Sequence, residues 1–424
     1  MHHEVLVTGY GLVAPGAMDA STLFRRIAQQ GSGLRANPRF QRLGFINTAA
    51  GYIDEEQWAR IHVATAKLPD ITPPQVRLAE FVMLSALVSA GLTVDDFRHM
   101  KSGLFLGSNK FCANNRDFAV LCACLDFDGL FDLDRFLTEQ APTSHPFARR
   151  VDQQTHHLAA LLGVADHVST HADACAAGTV AIGTAFRSIQ RGDIDIALCG
   201  AVELMASELP YYMFNSLGAL CQAAEWPAAQ QSRPFMRDRC GFVLSEGAAL
   251  LVLESRQHAE RRRASALGRV LGFAALCEAE KMTSSSRDGS KYQACMNAAL
   301  ADARCCPADI DHINTHGTST QSNDSCEGKA VLSLFGPHLD RISLTANKSA
   351  IGHSLASSGA IEVVLSLLSL SEGVLLPTLN YRPEGAEFPE LRFLSEAECA
   401  PIGTVLSNSF GFGGINSALV LGGA

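Results

Sequence analysis

Four residues of the 424-residue chain have the types and the company for acyl-transfer chemistry. Cys175 lies in Asp173-Ala174-Cys175-Ala176-Ala177-Gly178, where small neighbours let a ligand approach closely. A helical stripe follows at once, through Val180, Ala181, Ile182, Ala185, Phe186 and Ile189, and stops at Arg191-Gly192. This spacing predicts a helix of about four turns starting at or near Cys175. Free N–H groups and about half a positive charge collect at such a terminus, which favours thiolate and predicts a pKa below the ordinary value of about 8.5. His316 sits in Asn314-Thr315-His316-Gly317-Thr318-Ser319-Thr320, after a strand-like stretch from Ile310 to Ile313. His353 closes Asn347-Lys348-Ser349-Ala350-Ile351-Gly352-His353, with Lys348 five residues before it. Taken singly, a Cys among alanines or a lone His is ordinarily structural. Together, a helix-capping thiol, a lysine and two imidazoles in Gly-containing loops suit nucleophilic catalysis with N–H donors for developing oxyanions.

A further piece is Asn408-Ser409-Phe410-Gly411-Phe412-Gly413-Gly414-Ile415-Asn416. Its glycines predict a mobile loop whose backbone N–H groups can face a ligand, with Phe412 placed to act as a gate.

The elements that must position these residues alternate strand and helix. Val5 to Thr8 reads as a strand ended by Gly9, Leu104 to Leu106 as one ended by Gly107, and Ile194 to Leu198 as one ended by Gly200. Ala249 to Leu253, Ile342 to Leu344, Val405-Leu406 and Ser417 to Leu421 read as further strands, and Ser21 to Gln30 as a helix. Ile361 to Leu370 is apolar nearly all round, as in a helix buried on every side. Such alternation predicts α/β architecture with buried sheets. A polar, basic seam from Gln257 to Ser265 divides the chain into halves 1–256 and 257–424, the first carrying Cys175 and the second both histidines and the glycine loop.

Bulk composition narrows the classes. The net charge of −9 disfavours a nucleic-acid partner. Arg261-Arg262-Arg263 reads as a solvated helix face. No run reaches the ~18 apolar residues of a membrane span, and the start lacks a secretory signal, so a cytoplasmic protein is expected. The 13 cysteines show no zinc pattern and are expected to be reduced thiols, with no metal bound. Gly9-Tyr10-Gly11-Leu12-Val13-Ala14 matches a dinucleotide fingerprint, but Pro15-Gly16 interrupts the helix it needs. Gly352-His353-Ser354-Leu355-Ala356 falls short of a hydrolase elbow, and no clear strand precedes it. His167 and His171 share a metal-like spacing with Asp173 but lie in an extended segment.

At this point the chain resembles the β-ketoacyl-acyl carrier protein synthases of the decarboxylating, two-histidine type. The resemblance runs its whole length, through VLVTGYGLVAPG, DACAAG, RGDIDIALCGAVE, SRPFMRDRCGFVLSEGAALLVLE, INTHGTST, NKSAIGH and LSNSFGFGGIN. It implies a thiolase-like fold, two similar α/β halves in a five-layered αβαβα core, and normally a dimer. It implies decarboxylative condensation of an acyl thioester with malonyl-acyl carrier protein, substrates riding on the carrier's phosphopantetheine arm and no further cofactor. By position, Cys175 matches the acyl-accepting nucleophile, and His316 and His353 the pair that promotes decarboxylation and stabilises the enolate. Lys348 matches the supporting lysine and Glu327 the acid that pairs with it. Thr318 and Thr320 match the pantetheine-binding threonines. Phe412 matches the gate, and the N–H groups of Cys175 and Phe412 the oxyanion hole. Phe410, Gly411 and Gly413 of the same loop, with Lys110, complete the candidate substrate contacts.

Some positions depart from that pattern. Lys110 stands near an apolar gate, and the stretch from His145 to His157 is polar where an acyl tunnel and dimer interface are normally apolar. Glu139-Gln140 and Gly218 thin the basic patch that meets the carrier protein. Met236 and Cys240 replace common aspartates, and Lys281 a common His. The expected substrate is therefore that of a specialised fatty acid, polyketide or polyene pathway, on a homodimer or a heterodimer with a second ketosynthase-like subunit. The rival reading is a non-condensing, chain-length-factor-like partner, which the intact Cys175, His316, His353 and Lys348 oppose. A thiolase would need a second Cys in the Gly411–Gly414 loop, and a CoA-primed initiating synthase an Asn at His353.

Overall fold

Leucine- and valine-rich runs too apolar to leave one face wet must be covered on both sides. The computed structural model, which describes residues 3–109, 122–140, 150–279 and 286–424, shows how this is done. Lys110, residues 145–149 and Lys281 lie outside the described residues.

Ten strands form one mixed sheet among the described residues: β1 (Val5–Val13), β2 (Ser102–Gly107), β3 (Val168–His171), β4 (Ile196–Leu204), β5 (Glu246–Ser255), β6 (Gly268–Cys277), β7 (His312–Asn314), β8 (Ser343–Thr345), β9 (Thr404–Phe410) and β10 (Ile415–Gly422). The order is β8-β7-β9-β10-β6-β1-β5-β4-β2-β3. It is two five-stranded sheets with the same order, first-fifth-fourth-second-third, joined where Val5, Leu6 and Val7 pair with Val270, Arg269 and Gly268. In each half the second and third strands run parallel to their neighbours and the rest antiparallel.

The helices that matter here are α1 (Pro74–Ser89), α2 (Gln153–Leu162), α3 (Ala177–Gln190), α4 (Glu208–Ser216), α5 (Ser290–Ala303), α6 (Gln321–Phe335), α7 (Lys348–Ile351) and α8 (Ser358–Glu372). α1 and α2 cover the outer face of the first sheet, and α5 and α6 the outer face of the second, with α5 on the strands. α3 and α8 touch both sheets and form the middle layer. Helix, sheet, helix, sheet and helix are therefore five layers with apolar seams between them. Alternate residues of a strand face different seams: Val405 and Leu419 point to the middle layer, Leu406 and Val420 to the α5 side. Each such side chain removed from water stabilises the fold by about 1.5–3 kcal/mol. α8 with its preceding turn, Leu355–Glu372, is long and apolar enough to cross a membrane, and here it is buried between the sheets.

Two glycines read as strand ends are interior positions instead. β1 runs through Gly9 to Val13, and β4 through Gly200 to Leu204. A Cβ on Gly11 would lie 2.3 Å from the Val82 carbonyl oxygen, and one on Gly9 2.6 Å from the Ala90 amide nitrogen. These glycines let α1 lie directly on β1, which accounts for the fingerprint-like sequence without a nucleotide.

Candidate active site

The loops that follow β3, β7 and β8, and the β9–β10 connection, bring the four sequence segments together. Cys175 is the middle residue of a one-turn 3₁₀ helix, Ala174–Ala176, leading into α3. Ala174 has φ of +48°, a conformation that costs a non-glycine residue about 1–3 kcal/mol and aims the next side chain out of the strand direction. His316 follows β7, Lys348 opens α7, and His353 precedes a second 3₁₀ turn, Leu355–Ser357, that leads into α8. Leu355 repeats the φ of +48°.

Cys175, His316, Lys348 and His353 are all buried. Sγ of Cys175 lies 3.1 Å from Nε2 of His353, and the two imidazole centroids are 5.4 Å apart and nearly perpendicular. Lys348 Nζ donates to the His316 carbonyl oxygen at 2.7 Å and lies 3.3 Å from His316 Nδ1. An ammonium group can only donate, so Nδ1 of His316 is the accepting nitrogen and its proton resides on Nε2. Burial and the Lys348 charge hold both imidazoles well below their ordinary pKa, so both are neutral. Backbone N–H groups of Phe412 and of Cys175 itself face Sγ.

Three expectations are corrected. The thiol is not shifted downward: burial pushes Cys175 up to about 11, against the opposing pull of those N–H groups and of Lys348. Lys348 pairs with Glu362 of α8 at 2.6 Å, not with Glu327. Glu327 instead accepts the backbone N–H groups of His316 at 2.8 Å and Gly317 at 2.9 Å, and Asn408 Nδ2 at 3.1 Å, and burial raises its pKa to about 7. It therefore holds the His316 turn rather than the lysine. Nor are all cysteines free: Cys221 and Cys240 form a disulfide, across segments already joined by the Cys221 N–H to Phe242 carbonyl bond.

A cavity of about 370 Å³ opens onto Cys175, His316 and His353. Thr318, Thr320, Phe410, Gly411 and Phe412 line it, together with Cys240, noted in the sequence only as a departure from the family pattern, and with Tyr292 and Asn323, which sequence reasoning did not single out. Gly413 is not among the lining residues; with φ of +81° it turns the loop. The loop is tied down by the Gly411 N–H to Ile415 carbonyl bond of 2.7 Å, and Phe412 stacks on Phe214. Phe410 stacks on Tyr292 at 3.8 Å and meets His316 edge-on. Among the described residues, Cys175, His316 and His353 are the one group spaced to hold a metal, but the Lys348 ammonium beside His316 repels a cation there.

Glu362 carries the clearest signal that was overlooked. A single carboxylate inside an otherwise apolar, fully buried helix demands a cationic partner. Other polar positions resolve plainly. Ser354 follows no strand and is buried in a serine cluster. Arg262 pairs with Glu254 rather than facing solvent freely. In the described part of the polar 145–157 stretch, Arg150 pairs with Asp152 at the surface, and His157 meets Glu80 at 2.6 Å.

The β-ketoacyl synthase N-terminal domain model matches residues 2–259 and the C-terminal domain model residues 267–382. The chain belongs to the β-ketoacyl synthase family. A 3-oxoacyl-[acyl-carrier-protein] synthase 2 of Coxiella burnetii is 30% identical over 428 residues, covering 99% of this chain and 98% of the relative. A solved type II polyketide synthase acyl carrier protein in complex with its ketosynthase, bound to a hexaketide, matches with TM-score 0.87 and 28% identity over 100% of both chains. The ishigamide ketosynthase/chain length factor matches with TM-score 0.83 and 28% identity, again over 100% of both. The fold is thus the thiolase type expected from sequence. The activity is that of a β-ketoacyl-acyl carrier protein synthase.

Proposed function

We propose that Cys175 is the acyl-accepting nucleophile and that His316 and His353 run the decarboxylation. The observation that carries this is the 3.1 Å contact of Sγ with His353 Nε2 inside the cavity that His316 shares. In the first half-reaction the sulfur attacks the acyl thioester carbonyl, the carbonyl oxyanion is held by the N–H groups of Cys175 and Phe412, and the carrier leaves as a thiol bearing the cysteine proton. In the second, malonyl thioester enters, its carboxylate departs as carbon dioxide, and the electron pair forms an enolate whose oxygen accepts from the two imidazoles. The enolate carbon then attacks the acyl-cysteine carbonyl, the C–S bond breaks, and the thiolate takes up one proton from solvent. Two preorganised N–H donors in a buried site supply the charge stabilisation, so the scheme uses no metal or organic cofactor. The phosphopantetheine arm of the carrier protein lies along Thr318 and Thr320. The intact thiol–imidazole contact supports this over the chain-length-factor reading.

The test is intact-mass analysis of acyl- and malonyl-loaded carrier proteins after incubation with the purified protein. Cys175→Ala should form no condensation product. His316→Ala and His353→Ala should still acylate Cys175 but lose malonyl decarboxylation by about 10²–10³-fold. Full condensation by Cys175→Ala would overturn the scheme.

A further inference from the structure

For His353 to donate to an enolate, its proton must sit on Nε2, and no lysine stands at its Nδ1. What stands there is Ser358, the first residue of α8, whose Oγ is 3.0 Å from Nδ1. Ser358 is fully buried and belongs to a chain of three serines. Ser357 Oγ donates to Ser354 Oγ at 2.8 Å, Ser354 Oγ lies 3.2 Å from Ser358 Oγ, and the Ser354 backbone N–H donates to Ser358 Oγ at 3.0 Å. Each hydroxyl has one proton to place. If Ser357 donates to Ser354 and Ser354 to Ser358, the Ser358 oxygen is already an acceptor twice over. Its own proton is then left for His353 Nδ1. The opposite direction reverses the 2.8 Å bond and turns the Ser357 proton to the Ser354 carbonyl oxygen at the longer distance of 3.3 Å. A run of hydroxyls donating the same way also polarises itself cooperatively. The positive end of the α8 dipole lies at the same place and disfavours an imidazolium.

We propose that Ser358 is a positioning residue that donates to His353 Nδ1 and so fixes the tautomer with Nε2–H aimed at the reacting centre. Lys348 performs the same service for His316 by a different group. The inference rests on the decarboxylation role proposed above for His353. It assigns Ser354, Ser357 and Ser358 a joint purpose that the near-elbow sequence around Ser354 did not suggest. The charged and titratable groups facing His353 are Cys175, His316 and Lys348, with Glu362 behind the lysine.

The decisive measurement is the ¹⁵N spectrum of histidine-labelled wild-type protein, with His353→Ala assigning the signal. The proposal requires Nδ1 of His353 to be the unprotonated nitrogen; a proton on Nδ1 overturns it. Ser358→Ala should lower kcat for malonyl decarboxylation by about 10- to 100-fold with KM unchanged. Its acid limb should move to higher pH, because removing a donor to Nδ1 makes the imidazolium easier to form. Ser358→Thr, which keeps the hydroxyl, should restore the wild-type profile. An Ala variant with the wild-type rate and pH profile also overturns the proposal. If Ser358→Ala does not fold, the wild-type spectrum still decides. Failure of these arms leaves the Cys175 reading standing, whereas condensation by Cys175→Ala removes both.

Discussion

The proposed nucleophile is kept as a protonated thiol by its surroundings. Two effects oppose each other at Cys175: helix-terminal and loop N–H groups favour the anion, while complete burial disfavours it, and burial wins. The folded pKa of about 11 stands above the ordinary value, so thiolate is scarce in the folded protein at neutral pH and grows as pH rises toward 11. At pH 8 the thiolate fraction should be roughly two hundredfold below that of an ordinary exposed thiol. Iodoacetamide should therefore modify exposed Cys277 and Cys399 first. The Cys175 rate should rise about tenfold per pH unit through pH 8–10, as peptide mass mapping against time would show. A Cys175 rate that levels off below pH 8 would contradict the burial argument. The identities of the four central residues were legible because each stands in a distinctive run. The partner of Lys348 was missed because Glu327 was assigned by resemblance, although the lone carboxylate of the buried α8, Glu362, calls for a cation. The thiol's shift was misjudged for a different reason: a helix terminus can be read from spacing, but the depth at which it is buried cannot.

Among the elements, the site depends on how closely the two middle helices approach. A Cβ on Gly178 of α3 would lie 2.6 Å from the Ala356 carbonyl oxygen in the turn after His353, and one on Gly359 of α8 would lie 2.1 Å from Thr179 Oγ1. Replacing Gly178 by Ala must push the Cys175 turn away from the His353 turn. Replacing Gly11 by Ala pushes α1 from β1, far from both. Each should lower thermal stability, by about 1–3 kcal/mol, in calorimetry. Only Gly178→Ala should also lower kcat at a temperature where both variants are folded. Equal losses of kcat would show that the helix–helix contact does not set the site. Most of the strands and the two middle helices were visible in the apolar patterning, but β6 was not read as a strand. The ends of β1 and β4 were missed because glycine was read as punctuation, whereas at Gly9 and Gly11 it makes room for a neighbouring backbone.

On the scale of the molecule, an apolar surface borders the cavity mouth among the described residues. Leu217 lines the cavity and is 56% exposed, and Met213 and Tyr212 of α4 continue the surface outward to Phe45. Gly218 offers no charge, and Arg39 is already paired with Glu208. A carrier protein threading its arm through this mouth must cover that rim, so its docking should be held by apolar contact. Leu217→Glu should raise KM for carrier-borne malonyl about tenfold and leave a small N-acetylcysteamine thioester unaffected. The wild-type KM should change little between about 50 mM and about 500 mM salt. A steep salt dependence would point to a basic docking site elsewhere. Sequence showed the thinness of the basic patch, but the apolar rim comes from residues far apart in the chain.

The repeated strand order, together with the matching +48° residues Ala174 and Leu355 at the heads of α3 and α8, means that each half brings one edge of the reaction and neither brings the whole. The first half supplies a thiol, and the second supplies His353 just before the equivalent turn and His316 from the loop after β7. Expressed separately, fragments 1–264 and 265–424 would each expose an apolar inner face. Expressed together, they should associate through that face and recover condensing activity that neither has alone. Recovered activity would make the single polypeptide a covalently tethered pair of two look-alike modules, and its absence would show that the peptide link near Ser265 is needed to assemble the site.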